Sequence, residues 1–391
     1  MQFDLVLFGA TGFTGGLTAD YLAEHAPADL RWAIAGRSAD KLIAVRDRVA
    51  ELNPARADLP TVVVDASDPS ALAELAGQSR VIASTVGPYL QYGEPLVAAC
   101  AAAGTSYLDL TGEPEFVDLM YARYHHQAVQ TGARLVHCCG FDSIPNDLGV
   151  YFTVRQLPDG VPVRVDGIIR AGGVASGGTV ASALNVIARP RQSAAAAKTR
   201  RRLEERPAGR TARAGTAAPR RIDGLWVVPL PTIDAQIVAR SARALAGYGP
   251  DFRYRHWAGF RHLPSAAGAA VGGVGLVTAA QLPPVRSLLA RRVQPGTGPS
   301  AERRAKGWFE ARFVARAGER RLVTQVSGGD PGYGETAKML AESALCLAID
   351  DGLPEVRGQL TTAVAMGDRL IERLEAAGIR FETLSDTLVT G

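Results

Sequence analysis

The chain has 391 residues, 47% hydrophobic and 21% charged, enough for two domains with separate cores, which excludes a small stapled scaffold and a disordered acidic tail. The formal charge is +4, but nine basic and only two acidic residues lie between 198 and 221, so the basicity is local. No broad cationic face with interleaved aromatics remains, and nucleic acid is not expected as a partner.

The chain starts directly in an apolar run, Leu5 to Phe8, without a basic n-region or cleavage site, so a cytoplasmic protein is expected. Short apolar runs then alternate with helical periods. The pattern predicts strands over 5–9, 32–36, 61–65, 81–86, 106–110 and 134–138, with helices over 17–24, 40–52, 95–103 and 115–131. This alternation is the pattern of a Rossmann-type, doubly wound parallel sheet, and it places a nucleotide-binding domain over 1–150.

The first strand leads into Gly9-Ala10-Thr11-Gly12-Phe13-Thr14-Gly15 and then a helix. In that context Gly9 allows a tight turn, Gly12 lets backbone amides approach a pyrophosphate, and Gly15 lets the helix pack closely; Thr11, Phe13 and Thr14 belong to the same loop. The second strand ends in Ala35-Gly36-Arg37-Ser38. Arg37 stands where an acidic residue would select NAD, and a guanidinium pairs with a 2′-phosphate, so the cofactor is read as NADP(H). Ser38 either caps the next helix or joins the phosphate contacts, and Asp65, ending the third strand, is grouped with the cofactor residues.

Beyond the fourth and fifth strands come Val86-Gly87-Pro88-Tyr89 through Tyr92-Gly93-Glu94-Pro95, and Thr111-Gly112-Glu113-Pro114. Carboxyl strand ends are where open α/β sheets bind ligands, so Val86, Gly87, Pro88 and Gly112 are expected along the nicotinamide. Tyr89 and Tyr92 are candidate proton donors; the alternative is that they pack at a domain seam. The sixth strand runs into Gly140-Phe141-Asp142-Ser143-Ile144-Pro145-Asn146, where Gly140 and Phe141 join the cofactor set. Ser143 is the third catalytic candidate, near an amide-rich helix start suited to an oxyanion, although capping explains Ser143 or Asn146 equally well.

These five motifs together resemble the saccharopine dehydrogenase-like oxidoreductases, and most closely their actinobacterial trans-acting enoyl reductase group. Ser176-Gly-Gly-Thr179 and 294–300 extend the resemblance over most of the chain. The resemblance implies a second α/β (α+β) domain closing over the nicotinamide, and NADPH-dependent reduction of a 2-enoyl thioester in polyketide or lipid assembly. A saccharopine-type imine reductase is the competing enzyme reading, and an NADP-binding, lipid-associated scaffold the non-enzymatic one. The imine reading needs cations for substrate carboxylates, for which Arg170 and Arg189 are candidates.

The substrate or dimerisation domain is expected over 151–332, with an extended run at 163–171 and strands at 308–315 and 321–326 turning near Ala317-Gly318. Ser176 and Thr179 open a helix there. A basic stretch at 194–221 reads as a mobile loop or solvated helix whose Arg200, Arg201, Arg202 and Arg206 attract an acidic partner such as an acyl carrier. An uncharged stretch at 263–285 is long enough to raise a membrane span, but Gly, Ala and Pro283-Pro284 weaken it. It reads instead as an acyl lid, a contact between copies of a homo-oligomer or a peripheral membrane patch. A helical segment over 333–391 packs back on the nucleotide-binding domain. Four irregularly spaced cysteines form no framework, His125, His126 and His137 read as structural, and no metal is expected.

Overall fold

A computed structural model describes residues 1–173, 189–280 and 298–388. Ser176, Thr179 and residues 281–297, together with the last three residues, lie outside them. Fifteen strands form two sheets among the described residues. The first six are β1 (Phe3–Phe8), β2 (Trp32–Gly36), β3 (Thr61–Val63), β4 (Ser79–Ser84), β5 (Ser106–Asp109) and β6 (Arg134–Val136). The next seven are β7 (Val163–Gly172), β8 (Thr211–Gly215), β9 (Arg220–Ile222), β10 (Leu225–Pro229), β11 (Asp251–Phe260), β12 (Trp308–Ala317) and β13 (Arg320–Gly328). The last two are β14 (Gly358–Leu360) and β15 (Arg380–Leu388).

The first sheet is parallel in the order β14-β6-β5-β4-β1-β2-β3. Its strands are apolar on both faces because helices cover both. On one side lie α1 (Phe13–His25), α2 (Ala39–Leu52) and the helix Gly334–Ile349. On the other lie α3 (Pro69–Gln78), α5 (Glu94–Ala103) and α6 (Pro114–Thr131), with the single turn α4 (Tyr89–Tyr92) at the carboxyl edge. The chain leaves β1 toward β2 and returns through β4 on the opposite side, so the sheet has its switch point between β1 and β4.

The second sheet runs β15-β13-β12-β7-β11-β10-β9, with β8 alongside β11. Its strands pair antiparallel except β7 with β11 and β8 with β11. The expected pair at 308–326 is the β12–β13 hairpin. The helix α7 (Ile144–Val154) joins the two layers: a Cβ on Gly149 would lie 2.2 Å from the Phe313 ring, so only glycine lets α7 settle on β12 and β13. One apolar cluster therefore continues from Leu5 and Leu7 to Phe309 and Phe313.

Two regions differ from the sequence reading, and a third, the uncharged stretch, is described in part. The basic stretch is ordered: the helix Pro190–Leu203 packs on α6, and β8 and β9 follow. Arg200 is buried there, paired with Asp118 at 2.5 Å and with Glu204, so it faces the core and no acidic partner; Arg201, Arg202 and Arg206 stay exposed. A buried Asp118 requires an ion-pair partner, and that requirement orders the segment. The segment after 333 is not purely helical, because β14 extends the first sheet and β15 the second. Within the uncharged stretch, the helix Leu263–Ala280 lies on the surface with Leu263 and Val271 exposed, and among the described residues no helix is long and apolar enough to cross a membrane.

Candidate functional site

The candidate residues gather in two groups at the carboxyl ends of the first sheet's strands. At one end, Gly9 adopts φ +93°, and a Cβ there would strike Thr85 and Val86 at 2.7 Å. Gly15 passes so close to the turn that a Cβ would lie 2.2 Å from the Gly9 carbonyl oxygen. Gly12, the N-cap of α1, has open space instead, its nearest neighbour being the Gly9 oxygen at 3.5 Å. The first amides of α1 are thus presented beside an exposed glycine with no capping side chain, which is the arrangement a phosphate needs.

Thr11 reaches over the end of β2, where a Cβ on Gly36 would lie 3.8 Å from its hydroxyl. Thr14 offers its carbonyl to Thr18 inside α1. Phe13 turns its ring outward to meet Tyr333 edge-on at 4.8 Å and lies beneath the Arg304 guanidinium, so its side chain serves the seam between the layers while its amide stays at the helix start. Arg37 is exposed at the end of β2, and Ser38 is the N-cap of α2 without a capping hydrogen bond. Between the two roles open for Ser38, the capping bond is not made. Asp65 accepts hydrogen bonds from the Ser67 amide and hydroxyl at 2.8 and 2.6 Å; these bonds, with Arg37 nearby, hold its pKa below the usual range.

At the other end, the loops after β4, β5 and β6 are fastened by buried acids. The Glu113 carboxylate accepts the Tyr89 and Leu90 amides at 3.1 and 3.0 Å, tying the β5 loop to α4. Asp109 accepts from the Thr111 and Cys138 amides and meets His137 Nδ1 at 2.6 Å, tying β5 to β6. These fasteners explain the Thr111-Gly-Glu-Pro motif in structural terms, and they place His137 in a buried support, as expected.

Tyr89 is not placed to give up a proton. Tyr89 is buried, donates from its hydroxyl to the Ser84 carbonyl at 3.0 Å and accepts the Leu110 amide at 3.2 Å. Burial, with Asp109 close by, raises its phenol pKa far above the ordinary value, so Tyr89 is a strut between strand ends and not a catalytic candidate. Tyr92 is exposed on the far end of α4 and makes no hydrogen bond with described residues. Ser143 occupies the N-cap of α7, fully buried, with no cap bond and no partner for its hydroxyl among the described residues.

Val86 lies against Gly9, Gly87 is exposed and Pro88 is the N-cap of α4, so this loop stands at the carboxyl end of β4 beside the Gly9 turn. Gly140 is buried. A Cβ there would meet Leu110 at 2.8 Å and Thr336 at 3.0 Å, so this glycine is needed for packing. Phe141 packs edge-on to Phe309 at 5.1 Å, and its amide donates to Thr336.

The residue that the sequence reading passed over is Asp142. It is half-buried beside Gly112, where a Cβ would lie 3.0 Å from its Oδ2. Burial, reinforced by the facing Asp234, pushes its carboxyl pKa up to about 7. Asp234 begins the helix Asp234–Ala244 of the second layer, and burial pushes it to about 7 as well, although it accepts hydrogen bonds from Thr232 and from Asn146, the latter at 2.5 Å. His256 Nε2 lies 3.6 Å from Asp234, but burial lowers its pKa to about 3, so it stays neutral. No signal local to residues 138–146 announces a partner 92 positions away.

Among the described residues no group of His, Cys, Asp and Glu is arranged to hold a metal. Comparison with known proteins places this geometry in context. The family described as saccharopine dehydrogenase NADP binding domain matches residues 5–136. A Mycobacterium tuberculosis protein assigned provisionally as a trans-acting enoyl reductase is 42% identical over 98% of this chain and 97% of its own length. A Mycobacterium ulcerans protein named trans-acting enoyl reductase is 40% identical over 97% of each. The structure of saccharopine dehydrogenase (L-Glu forming) from Saccharomyces cerevisiae, 12% identical, matches 97% of this chain and 99% of its own with a TM-score of 0.53, which shows the shared fold.

Proposed function

The chain belongs to the saccharopine dehydrogenase-like family of NADP-binding oxidoreductases, and from that premise we propose that it is an NADPH-dependent enoyl reductase acting in trans on a 2-enoyl thioester. The observation that carries the choice is the state of the two cations a carboxylate-bearing amino-acid substrate would need. Arg189 is held by both oxygens of Glu115 at 2.8 and 2.9 Å, and Arg170 is held by Glu310 at 2.5 Å and lies over Trp308. With these spent on ion pairs, and with Asp142 and Asp234 at the reaction end, the site favours a substrate without carboxylates.

The residues fit NADP(H): the open Gly12 turn and the α1 amides would hold the pyrophosphate, and Arg37 with the Ser38 hydroxyl would hold the 2′-phosphate. Bound there, the cofactor supplies the hydride. The chain orients the thioester along Gly87, Pro88 and Gly112, whose missing or fixed side chains leave room beside the strand ends. The acyl group arrives on a carrier, for which exposed Arg201, Arg202 and Arg206 form the matching basic edge. The apolar surface of the helix Leu263–Ala280 serves the acyl chain, a lipid surface or a second copy of this chain.

NADPH oxidation by the purified protein, with a 2-enoyl thioester compared against an aminoadipate-semialdehyde and glutamate mixture, tests the reading. Turnover of the thioester alone is expected; turnover of the amino-acid mixture alone replaces this reading with the imine one.

A further inference from the structure

We propose that Asp142 is the general acid of this reduction, giving its carboxyl proton to the substrate's α-carbon, and that Asp234 faces it as a positioning residue. The inference rests on the enoyl reading above and supplies a proton donor, a part that buried, hydrogen-bonded Tyr89 does not fill.

Position comes first. In a sheet with its switch point between β1 and β4, the adenosine side lies over β1 and β2, where Arg37 is, and the reacting side over β4, β5 and β6. Asp142 stands on the β6 loop, with its Oδ2 over Gly112 of the β5 loop, and Gly112 and Asp142 are both partly exposed. Among the described residues no hydrogen bond or ion pair engages the Asp142 carboxylate. Asp234 comes from the second layer: its helix packs on α7, where Asn146, four residues on from Asp142, donates to it at 2.5 Å, and its charge raises the Asp142 carboxyl.

Two further atoms mark the place as unfinished. Ser143 Oγ and Asn146 Oδ1 are buried without a partner among the described residues, and the other atom of the Asn146 amide is the one bonded to Asp234. Buried polar atoms of this kind are ordinarily satisfied.

The charge balance gives the pair its chemistry. Asp142 is faced by Asp234 from the helix Asp234–Ala244 and by the Cys138 thiol, itself raised by burial; Asp234 is faced in turn by Asp147 of α7 and by neutral His256 of β11. Among the described residues no Lys or Arg pairs with either carboxyl, and two carboxyls in this setting retain a proton near neutral pH. An acid whose pKa lies near the working pH is the efficient donor.

In the step itself, a hydride from the reduced nicotinamide adds to the β-carbon, and the alkene π pair moves to the α-carbon and thioester oxygen as an enolate. The Asp142 O–H bond then breaks as the α-carbon C–H bond forms. The electron pair stays on the carboxylate, which is reprotonated from solvent. The nicotinamide is oxidised and the alkene reduced, so electrons and protons balance.

The test is Asp142→Asn, read three ways, with Asp234→Asn as a second variant. Turnover of the 2-enoyl thioester should fall by about 10²–10⁴-fold. NADPH affinity, measured by fluorescence titration, should stay within about threefold of wild type, as the 2′-phosphate and pyrophosphate contacts lie elsewhere. Difference infrared spectroscopy of the cofactor-free protein should lose a carboxyl that titrates near pH 7. In Asp234→Asn, removal of the facing charge stabilises the Asp142 anion, so the alkaline fall of the pH–rate profile should move to lower pH. If Asp142→Asn fails to fold, this last shift and the wild-type infrared titration decide the matter.

Wild-type turnover of the thioester with an equally active Asp142→Asn variant overturns the acid and leaves the enoyl reading standing. A wild type that turns over no enoyl thioester overturns the enoyl reading first, and with it this acid's substrate.

Discussion

The cofactor end and the reaction end of the same sheet edge are built on opposite principles. At the proposed cofactor end, backbone and glycine dominate: open Gly12 and the first amides of α1 stand at the turn, Arg37 is exposed, and Gly9 and Gly15 pass too close to Thr85, Val86 and the Gly9 oxygen to carry a side chain. At the reaction end, side chains do the holding, and nearly all are buried: Glu113 on two amides, Asp109 on His137, Tyr89 between strand ends, Asp142 against Asp234. The difference teaches that binding the cofactor needs little more than a turn of the right shape, whereas setting a proton affinity needs groups drawn from separate layers.

The largest effect should come from breaking the cofactor turn itself. Gly15→Ala gains up to about 1 kcal/mol of helix propensity, but its new Cβ meets the Gly9 carbonyl oxygen at 2.2 Å and Thr85 at 2.7 Å, where backbone cannot yield. Overpacking of this kind costs about 1–3 kcal/mol, so chemical denaturation should show a net loss of stability together with weaker NADPH binding. Gly12→Val separates the two effects. Its Cβ has room within the fold but enters the space a phosphate must occupy, so affinity should fall while stability holds; a comparable loss of both in the two variants would erase the distinction between packing and ligand glycines.

Next in size is Arg37→Ala. A hydrogen bond to a charged group is worth about 1.5–3 kcal/mol, so NADPH affinity should fall roughly 10–150-fold while NADH, lacking the 2′-phosphate, changes little. Isothermal titration with both cofactors measures this, and equal losses for the two would remove Arg37 from the phosphate.

These two predictions fall on residues that sequence reasoning reached, and the reason is local. A glycine triplet between a strand and a helix, and a basic residue after the second strand, act within a few positions of each other, and so do the periods that announced six strands of the first sheet. What stayed hidden depends on distance in the chain. Asp142 acquires its character from Asp234, Glu113 from amides on α4, and Arg200 its burial from Asp118. The strand β14 is three residues long, and β15 is largely exposed and polar, so neither carries a strong period. Ser143 attracted notice as a cap, yet the neighbouring carboxyl is the group that lies over Gly112.

A smaller effect sharpens the assignment of the tyrosines. Tyr89→Phe leaves the Ser84 carbonyl and Leu110 amide without their buried partner, at a cost of about 1–3 kcal/mol. Tyr92→Phe, at an exposed position, should lie within about 0.5 kcal/mol of wild type. Enoyl turnover should survive both within a few-fold. A hundredfold loss in Tyr92→Phe at unchanged stability would return the proton donor to the tyrosine and break the contrast between the two ends.

The smallest effect is a dependence of stability on pH, and its sign follows from the buried groups of the second layer. Asp234 is raised to about 7, so its contribution is fully present below the ordinary carboxylate range and is lost as pH rises through about 7. His256 is lowered to about 3, so its contribution is present above about 6.5, its unfolded value, and is lost as pH falls toward 3. Between about 4 and 6.5 the two oppose each other; above 6.5 only the carboxyls still change. Asp234→Asn removes the charge that must form in a buried site, so its Tm relative to wild type should rise from about pH 4 to about 7 and then level off. The same substitution at the exposed Asp65, whose pKa is lowered by Ser67, should show no such rise, because its anion is the form that the fold prefers. An identical response at both positions would mean that the two ends do not differ in how they treat charge.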